Sequence, residues 1–394
     1  MKPLAISACT LTTALGSGNV PTYQALQAGR SGLAPVRFMG FPLPTFTGEV
    51  EGVDAVAIPS HLSDFDCRNN RLAWLGLQAD DFALAVAAAR ARWGLRRVGV
   101  FLGTSTSGLL HTELAYRHRG PDGALPADFK YGPTQNTFSV ADFVARALQL
   151  EGPAWVVSTA CSSSAKVFGN AARLIAAGLI DAAVVGGVDS MCLTTLYGFN
   201  SLELLSPEIC RPWDRARNGL SIGEAAAFAL LERDAATPPQ GWLLGVGESN
   251  DGYHMSTPHP EGLGAIAAMR AALADAQLPP AAIDYINLHG TATPSNDAAE
   301  DAAVCQVFGT GTPCSSTKGA TGHTLGAAGG VEAAIALLAL RHGLMPAGLN
   351  LQEPDPALRM NYLRDNRAAP IGRVLSNSFG FGGSNASLIF GASQ

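Results

Sequence analysis

Short apolar, β-branched runs alternate along this chain with longer alanine-rich stretches of helical period, the pattern of an α/β architecture with buried sheets. In the first half, Pro3–Ala8, Val98–Gly103, Ala154–Ser158, Ala182–Gly187 and Ala225–Leu231 read as strands. The second half repeats the alternation with Trp242–Gly247, Ile283–Leu288, Cys314–Thr317, Val374–Ser376 and Ala386–Phe390. Between the halves, Ala236-Thr237-Pro238-Pro239-Gln240-Gly241 is a turn-rich boundary. One apolar helix is expected from Leu72 to Ala89, and another from Ser162 through Leu174 to about Gly178. The stretch from about Gly108 to Ala141 lacks periodicity and is expected to be loops. No internal sequence repeat is visible.

Composition narrows the class. With 394 residues, 47% of them hydrophobic, the chain can bury a large core and has room for more than one domain. No apolar run approaches a membrane span, and the start, Met1-Lys2-Pro3-Leu4-Ala5-Ile6-Ser7, lacks the apolar core of a signal peptide. Seven scattered cysteines without a CxxC pair read as reduced thiols, so a cytoplasmic location is expected and a disulfide framework or structural zinc site is not. A net charge of −6 argues against nucleic acid as a partner.

The chemistry begins at Cys161. In Trp155-Val156-Val157-Ser158-Thr159-Ala160-Cys161-Ser162-Ser163-Ser164, a β-branched strand gives way to small hydroxyl residues and then to a helix. A thiol at a helix N-terminus feels the positive end of the dipole, which is expected to lower its pKa. An inert, buried cysteine is the plainer alternative. Two histidines in the second half weigh against it. His289 opens His289-Gly290-Thr291-Ala292-Thr293 after one strand, and His323 sits in Lys318-Gly319-Ala320-Thr321-Gly322-His323 after another. A cysteine and histidines far apart in sequence can meet in space as a nucleophilic site. Near the C-terminus, Ser378-Phe379-Gly380-Phe381-Gly382-Gly383-Ser384 packs glycines between two strands, which implies unusual dihedrals or close approach to a ligand.

These motifs, in this order, resemble the elongating β-ketoacyl-acyl carrier protein synthases, the condensing enzymes of fatty acid and polyketide synthesis. The resemblance spans essentially the whole chain and includes Arg211-Pro212-Trp213-Asp214 and Asn250-Asp251-Gly252-Tyr253-His254-Met255. It implies a thiolase-like fold in five αβαβα layers, made of two similar halves: residues 1–240 with Cys161, and 241–394 with His289 and His323. By that resemblance Cys161 accepts an acyl group from a carrier thioester, with the backbone N–H groups of Cys161 and Phe381 as oxyanion hole. His289 and His323 then stabilise the enolate formed when malonyl carrier protein loses carbon dioxide, and the chain grows by two carbons.

The same resemblance makes Lys318 a supporting cation, Glu332 a supporting carboxylate and Phe381 a gate beside the nucleophile. Thr291 and Thr293 would hold the pantetheine arm, and Phe379 would border the substrate. Thr106, short and polar, would line the far end of the acyl pocket across a dimer interface, near the aperiodic segment. That polarity points to a specialised pathway, such as polyene or other polyketide-like synthesis, over housekeeping fatty acid elongation. Neither a metal nor another cofactor is implied. The partners expected are acyl- and malonyl-loaded carrier protein, plus either a second copy or a related ketosynthase-like subunit. Carrier docking on an acidic protein needs a local basic patch, for which Arg68, Arg71, Lys130 and Arg211 are the candidates.

Three departures from the family's usual pattern stand out: Ala292 for glycine or serine, Gly223-Glu224-Ala225-Ala226 for a more glycine-rich stretch, and Asn218 for aspartate. None removes a catalytic group. A thiolase would carry a second cysteine where Phe379 and Phe381 stand. The priming synthases that use coenzyme A thioesters pair cysteine with histidine and asparagine, and His323 speaks against them. A non-catalytic chain-length-factor-like subunit would typically lack the nucleophile.

Overall fold

The computed structural model describes residues 1–393. Five strands of the first half are β1 (Leu4–Thr13), β2 (Val98–Gly103), β3 (Ala154–Val157), β4 (Ala182–Asp189) and β5 (Ala225–Glu232). They lie in the order β3-β2-β4-β5-β1, where the first two pairings are parallel and the last two antiparallel. The second half supplies β6 (Gly241–Asn250), β7 (Tyr285–Asn287), β8 (Pro313–Ser315), β9 (Arg373–Gly380) and β10 (Ser384–Gly391). Their order, β8-β7-β9-β10-β6, has the same succession of two parallel and two antiparallel pairings. The two halves thus repeat in topology although not in sequence. They join where β1 runs antiparallel to β6, with Leu4 opposite Leu243.

Helices fill the space around the two sheet halves. The outer face of the first is covered by α1 (Arg68–Leu77) and α2 (Phe82–Trp93), whose Leu72, Phe82 and Val86 pack with Val100 and Val184. Between the sheets lie α3 (Ser163–Ala176) and, later in the chain, α7 (Ala328–His342), sharing one core of Phe168, Ala171, Ala336, Leu337 and Phe390. A further helix, α4 (Leu193–Ser201), borders the junction that holds Cys161. The second sheet's outer face carries α5 (Leu263–Ala276) and α6 (Pro294–Phe308), whose Met269, Leu273 and Val304 pack on Ile286 and Ile389. The result is the five-layered αβαβα arrangement. Strands β2, β4 and β5 are buried along their whole length, which is why they read as continuous apolar runs without alternation.

Four sequence expectations change. The helix expected from Leu72 to Ala89 is two helices, bent by 72°. Asp80 and Asp81 take positive φ there, and the Asp80 carboxylate accepts from Thr10 Oγ1 (2.8 Å) and the Asn19 backbone N–H, so tertiary bonds override helix continuity. The aperiodic segment contains a helix, Leu109–Arg117, and a π-helical turn, Tyr131–Gln135. The glycine-rich loop shrinks to Phe381–Gly383, because β9 continues to Gly380 opposite Ser384. Leu325–His342 is long and apolar enough for a membrane span, but 89% of it is buried inside the fold as a core element.

Candidate active site

Cys161 follows a constrained turn. Ala160 holds φ +53, a left-handed conformation that an alanine adopts only at some energetic cost. Ser163 fastens the turn: its Oγ donates to the Ala160 carbonyl (2.5 Å) and accepts from the Thr159 N–H (2.8 Å). Gly380 from β9 meets this turn directly. A Cβ there would lie 2.8 Å from the Thr159 oxygen and 3.2 Å from the Cys161 nitrogen, so only glycine lets the Phe379–Gly383 segment come this close. The Phe381 backbone N–H is consequently placed to favour a negative charge on the Cys161 sulfur.

The ends of the second-half strands bring the histidines to the same point. His323 Nε2 lies 2.9 Å from Cys161 Sγ, and the two imidazoles sit edge-to-face with centroids 5.4 Å apart. The donor atoms of Cys161, His289 and His323 all lie within 4.8 Å of one another. All three residues are buried, and they line one cavity with Phe379, Thr291 and Thr293. The two threonine hydroxyls are 2.9 Å apart.

His323 Nδ1 has no hydrogen-bond partner among the described residues. Nε2 of the same ring faces the sulfur, donating or accepting according to the tautomer. Burial holds both histidines well below the ordinary imidazole range, aided by the Lys318 charge. They are therefore neutral donors at neutral pH.

Lys318 is buried and paired with Glu332, which is buried as well. Its ammonium also donates to the His289 carbonyl and lies 3.4 Å from His289 Nδ1. Glu332 accepts from Ser378 Oγ at 3.1 Å, and burial raises its carboxyl against the pull of Lys318. A Cys–His–His donor set could in principle ligate a zinc-like ion. The neighbouring ammonium opposes a cation there and suits developing negative charge.

The expected lowering of the Cys161 pKa is not what the site produces. Burial pushes the thiol up to about 12, against the opposing pull of Lys318 and the Phe381 N–H. Desolvation outweighs the favourable charges.

Other sequence candidates land differently. Arg68, a docking candidate, has its guanidinium buried and bidentate to Glu224, at 3.0 and 2.6 Å. Glu224, the departure noted in the sequence, is therefore a buried counter-ion. Arg71 is bidentate to Asp66 at 2.6 and 2.8 Å, Lys130 pairs with Asp64, and Arg211, largely covered, pairs with Glu208. Within the chain, Thr106 donates its hydroxyl to buried Asp189 (2.7 Å), and the space beside Cys161 is bordered instead by Ser105 and Leu109. Phe381 lies 5.6 Å from Phe199, centroid to centroid, at the edge of that space.

Sequence reasoning missed the carboxylates that shape the first histidine loop. Glu300 accepts the N–H groups of His289 (2.9 Å) and Gly290 (2.8 Å), and Asp297 accepts those of Trp213 (3.1 Å) and Ala292 (3.2 Å). Burial raises them to about 7 and about 6 respectively. Their i, i+3 spacing on an otherwise alanine-rich helix was the available signal.

The descriptions "Beta-ketoacyl synthase, N-terminal domain" and "Beta-ketoacyl synthase, C-terminal domain" match residues 1–236 and 241–352. The chain belongs to the beta-ketoacyl synthase family. It is an enzyme, an acyltransferase of the ketosynthase type with the thiolase-like fold. This synthase is 34% identical to a 3-oxoacyl-(acyl-carrier-protein) synthase 2 of Coxiella burnetii, over 98% of each chain. It is 32% identical to Nodulation protein E of Rhizobium meliloti, over 95% of this chain and 96% of that one. Among solved structures it resembles a ketosynthase, ApeO, from Xenorhabdus doucetiae, determined in complex with its chain length factor, ApeC. That likeness has TM-score 0.91 and 42% identity, covering 99% of this chain and 98% of the other.

Proposed function

We propose that the synthase condenses malonyl-acyl carrier protein with an acyl group carried on Cys161. The observation that carries this reading is the convergence of the Cys161 sulfur, the His323 Nε2 and His289 in one buried cavity. In the first step the Cys161 sulfur attacks the acyl-carrier thioester. An S–C bond to Cys161 forms, the bond to the carrier sulfur breaks, and the carrier thiol departs with the proton. The Cys161 and Phe381 N–H groups face the oxyanion. In the second step malonyl carrier loses carbon dioxide, and the electron pair of the broken C–C bond passes onto its thioester oxygen. Two neutral imidazole donors, His289 and His323, stabilise that charge, and Lys318 with Glu332 positions His289. The carbanion carbon then attacks the acyl carbonyl, a C–C bond forms, and Cys161 leaves as the thiol after taking up one proton. Thr291 and Thr293 hold the pantetheine arm, and Phe381, against Phe199, swings to admit malonate.

We further infer a specialised, polyene- or polyketide-like chain and a related chain-length-factor-type partner subunit. Two observations favour this: the full-length likeness to a ketosynthase solved with its chain length factor, and the hydroxyls of Ser105, Ser158, Thr194 and Thr195 around the space beside Cys161. Housekeeping elongation is the second reading, supported by the Coxiella burnetii relative. Carrier docking rests on the partly exposed Arg71 and Lys130. The test is product analysis with malonyl carrier and saturated, unsaturated or aryl primers, with and without a partner subunit. Preference for unsaturated or aryl primers and dependence on the partner support the specialised reading. Equal or better turnover of long saturated primers by the synthase alone contradicts it.

A further inference from the structure

Asn218 and Gly219 form the chain's one Asn-Gly pair, and Asn218 is a departure from the family's usual aspartate. Asparagine is among the thermolabile residue types. The next residue governs that lability, because imide formation needs its backbone nitrogen to reach the side-chain carbonyl. A glycine puts no Cβ in the way.

The surroundings of Asn218 favour the reaction. The residue is exposed, and its amide nitrogen has no hydrogen-bond partner among the described residues, so ammonia can leave into solvent. Its Oδ1 accepts from Oγ of buried Ser206 at 2.6 Å, and the Glu208 N–H donates to that same Oγ at 3.1 Å, which aims the hydroxyl proton at the amide. A donor so placed stabilises the negative charge that develops on the oxygen under attack. The Gly219 nitrogen is tethered through its N–H to the Ala292 carbonyl at 3.2 Å, the long end of the normal range.

We propose that Asn218 is a self-modification site whose slow conversion ages the synthase. The Gly219 backbone nitrogen attacks Asn218 Cγ, an N–C bond forms, and Nδ2 departs as ammonia with the proton from Gly219. Water then opens the succinimide ring. If the new bond from the nitrogen to Cγ breaks, aspartate remains. If the original peptide bond breaks instead, iso-aspartate remains, with the main chain routed through the side chain. Either path consumes one water and releases one ammonia.

The two products differ in consequence. Aspartate keeps the backbone, offers Ser206 Oγ a stronger acceptor, and is the residue that the family usually carries here. Iso-aspartate inserts one carbon, about 1.5 Å of chain, before Gly219. The fold has no slack for it, since even a Cβ on Gly219 would lie 2.5 Å from the Leu204 oxygen. Gly219 bonds to Ala292 in the His289 loop, and the Leu220 N–H bonds to the Leu204 carbonyl at 2.9 Å. Leu204 and Leu220 both line the cavity that holds Cys161. Iso-aspartate therefore disturbs the catalytic cavity, and aspartate does not.

Wild type, Asn218→Asp and Asn218→Gln, whose longer side chain closes an imide ring less readily, are held in mildly alkaline buffer and sampled over weeks. Intact mass, peptide mapping and labelling by protein iso-aspartyl methyltransferase read the chemistry. Melting temperature and condensation rate read its consequence. Wild type gains a single dalton at residue 218, melts earlier, and loses condensation in proportion to its iso-aspartyl fraction, falling to half at half conversion. Asn218→Asp starts at the wild-type rate, and Asn218→Gln keeps both mass and rate. A folded wild type that keeps its mass while the heat-unfolded chain gains the dalton overturns the site. Iso-aspartate that accumulates with unchanged melting temperature and rate overturns the consequence, as does an Asn218→Asp variant that is inactive from the start. The mass and melting readouts do not depend on the condensation reaction, so they stand even if that reading of the enzyme fails.

Discussion

Replacing Lys318 by methionine tests whether the buried Lys318–Glu332 pair holds the site together. Both side chains are only 3% exposed, and the ammonium also serves the His289 carbonyl. Removing one partner of such a pair leaves an uncompensated buried carboxylate, a loss of roughly 3–5 kcal/mol. At about 2.1 cal/mol/K per residue, the unfolding entropy of a 394-residue chain is about 0.8 kcal/mol/K. The melting temperature should therefore fall by roughly 4–6 °C. The pH dependence carries the sign of the cause. Without the cation, the folded-state pKa of Glu332, already raised by burial, climbs further above its unfolded value. The protonated carboxyl is then favoured on folding, so the deficit is small in mild acid and grows as pH rises through that raised pKa. Differential scanning calorimetry across about pH 5.5 to 8 reads it. Lys318→Met with Glu332→Gln removes both charges and should recover most of the stability, while condensation remains impaired. A single variant that melts within about 1 °C of wild type, or shows the same deficit at both ends of the range, refutes the reasoning.

Arg68→Met should destabilise by a similar roughly 3–5 kcal/mol, because it strands Glu224 in the core, whereas Arg71→Met should stay within about 1 kcal/mol, its pair with Asp66 being part-exposed. Thermal melts distinguish them. Alkylation of Cys161 by iodoacetamide should quicken about tenfold per pH unit from pH 6 to 9, because the thiol is held up to about 12 and only the thiolate reacts. A rate plateau below pH 8 would show a thiolate already formed at rest. His289→Ala should leave Cys161 acylation within about threefold of wild type and cut malonyl decarboxylation by roughly 100-fold or more, as loss of one oxyanion donor does elsewhere. Quenched-flow measurement of both steps checks that division.

Much of the site is legible in the chain because its chemistry demands local signatures. Cys161 needs a strand-to-helix turn, and the histidines need glycine-flanked strand ends, so all three carry their context in a few neighbouring residues. The buried strands likewise announce themselves as unbroken apolar runs. What stays hidden depends on partners distant in sequence. Arg68 resembles a surface base in Arg68-Asn69-Asn70-Arg71, and only the fold brings Glu224, 156 positions away, against it. Asp80 looks like an ordinary helix residue until Asn19 and Thr10 claim its carboxylate. Asp297 and Glu300 look like a solvated helix face, yet their buried carboxylates carry the backbone of the His289 loop. Thr106 resembles a position that lines a pocket across a dimer interface, and only the fold shows that within the chain Asp189, 83 positions away, accepts its hydroxyl. The twofold topology leaves no internal sequence repeat because strand order is set by packing between sheets, which different residues satisfy equally well.

The measurement closest to the central claim is intact-mass analysis after incubation with acyl-loaded carrier protein, wild type beside Cys161→Ala, followed by malonyl carrier. The account predicts one acyl adduct on wild type, none on Cys161→Ala, and loss of the adduct with release of a β-ketoacyl carrier once malonyl carrier is added. An adduct that persists in Cys161→Ala, or one that malonyl carrier fails to discharge, contradicts it.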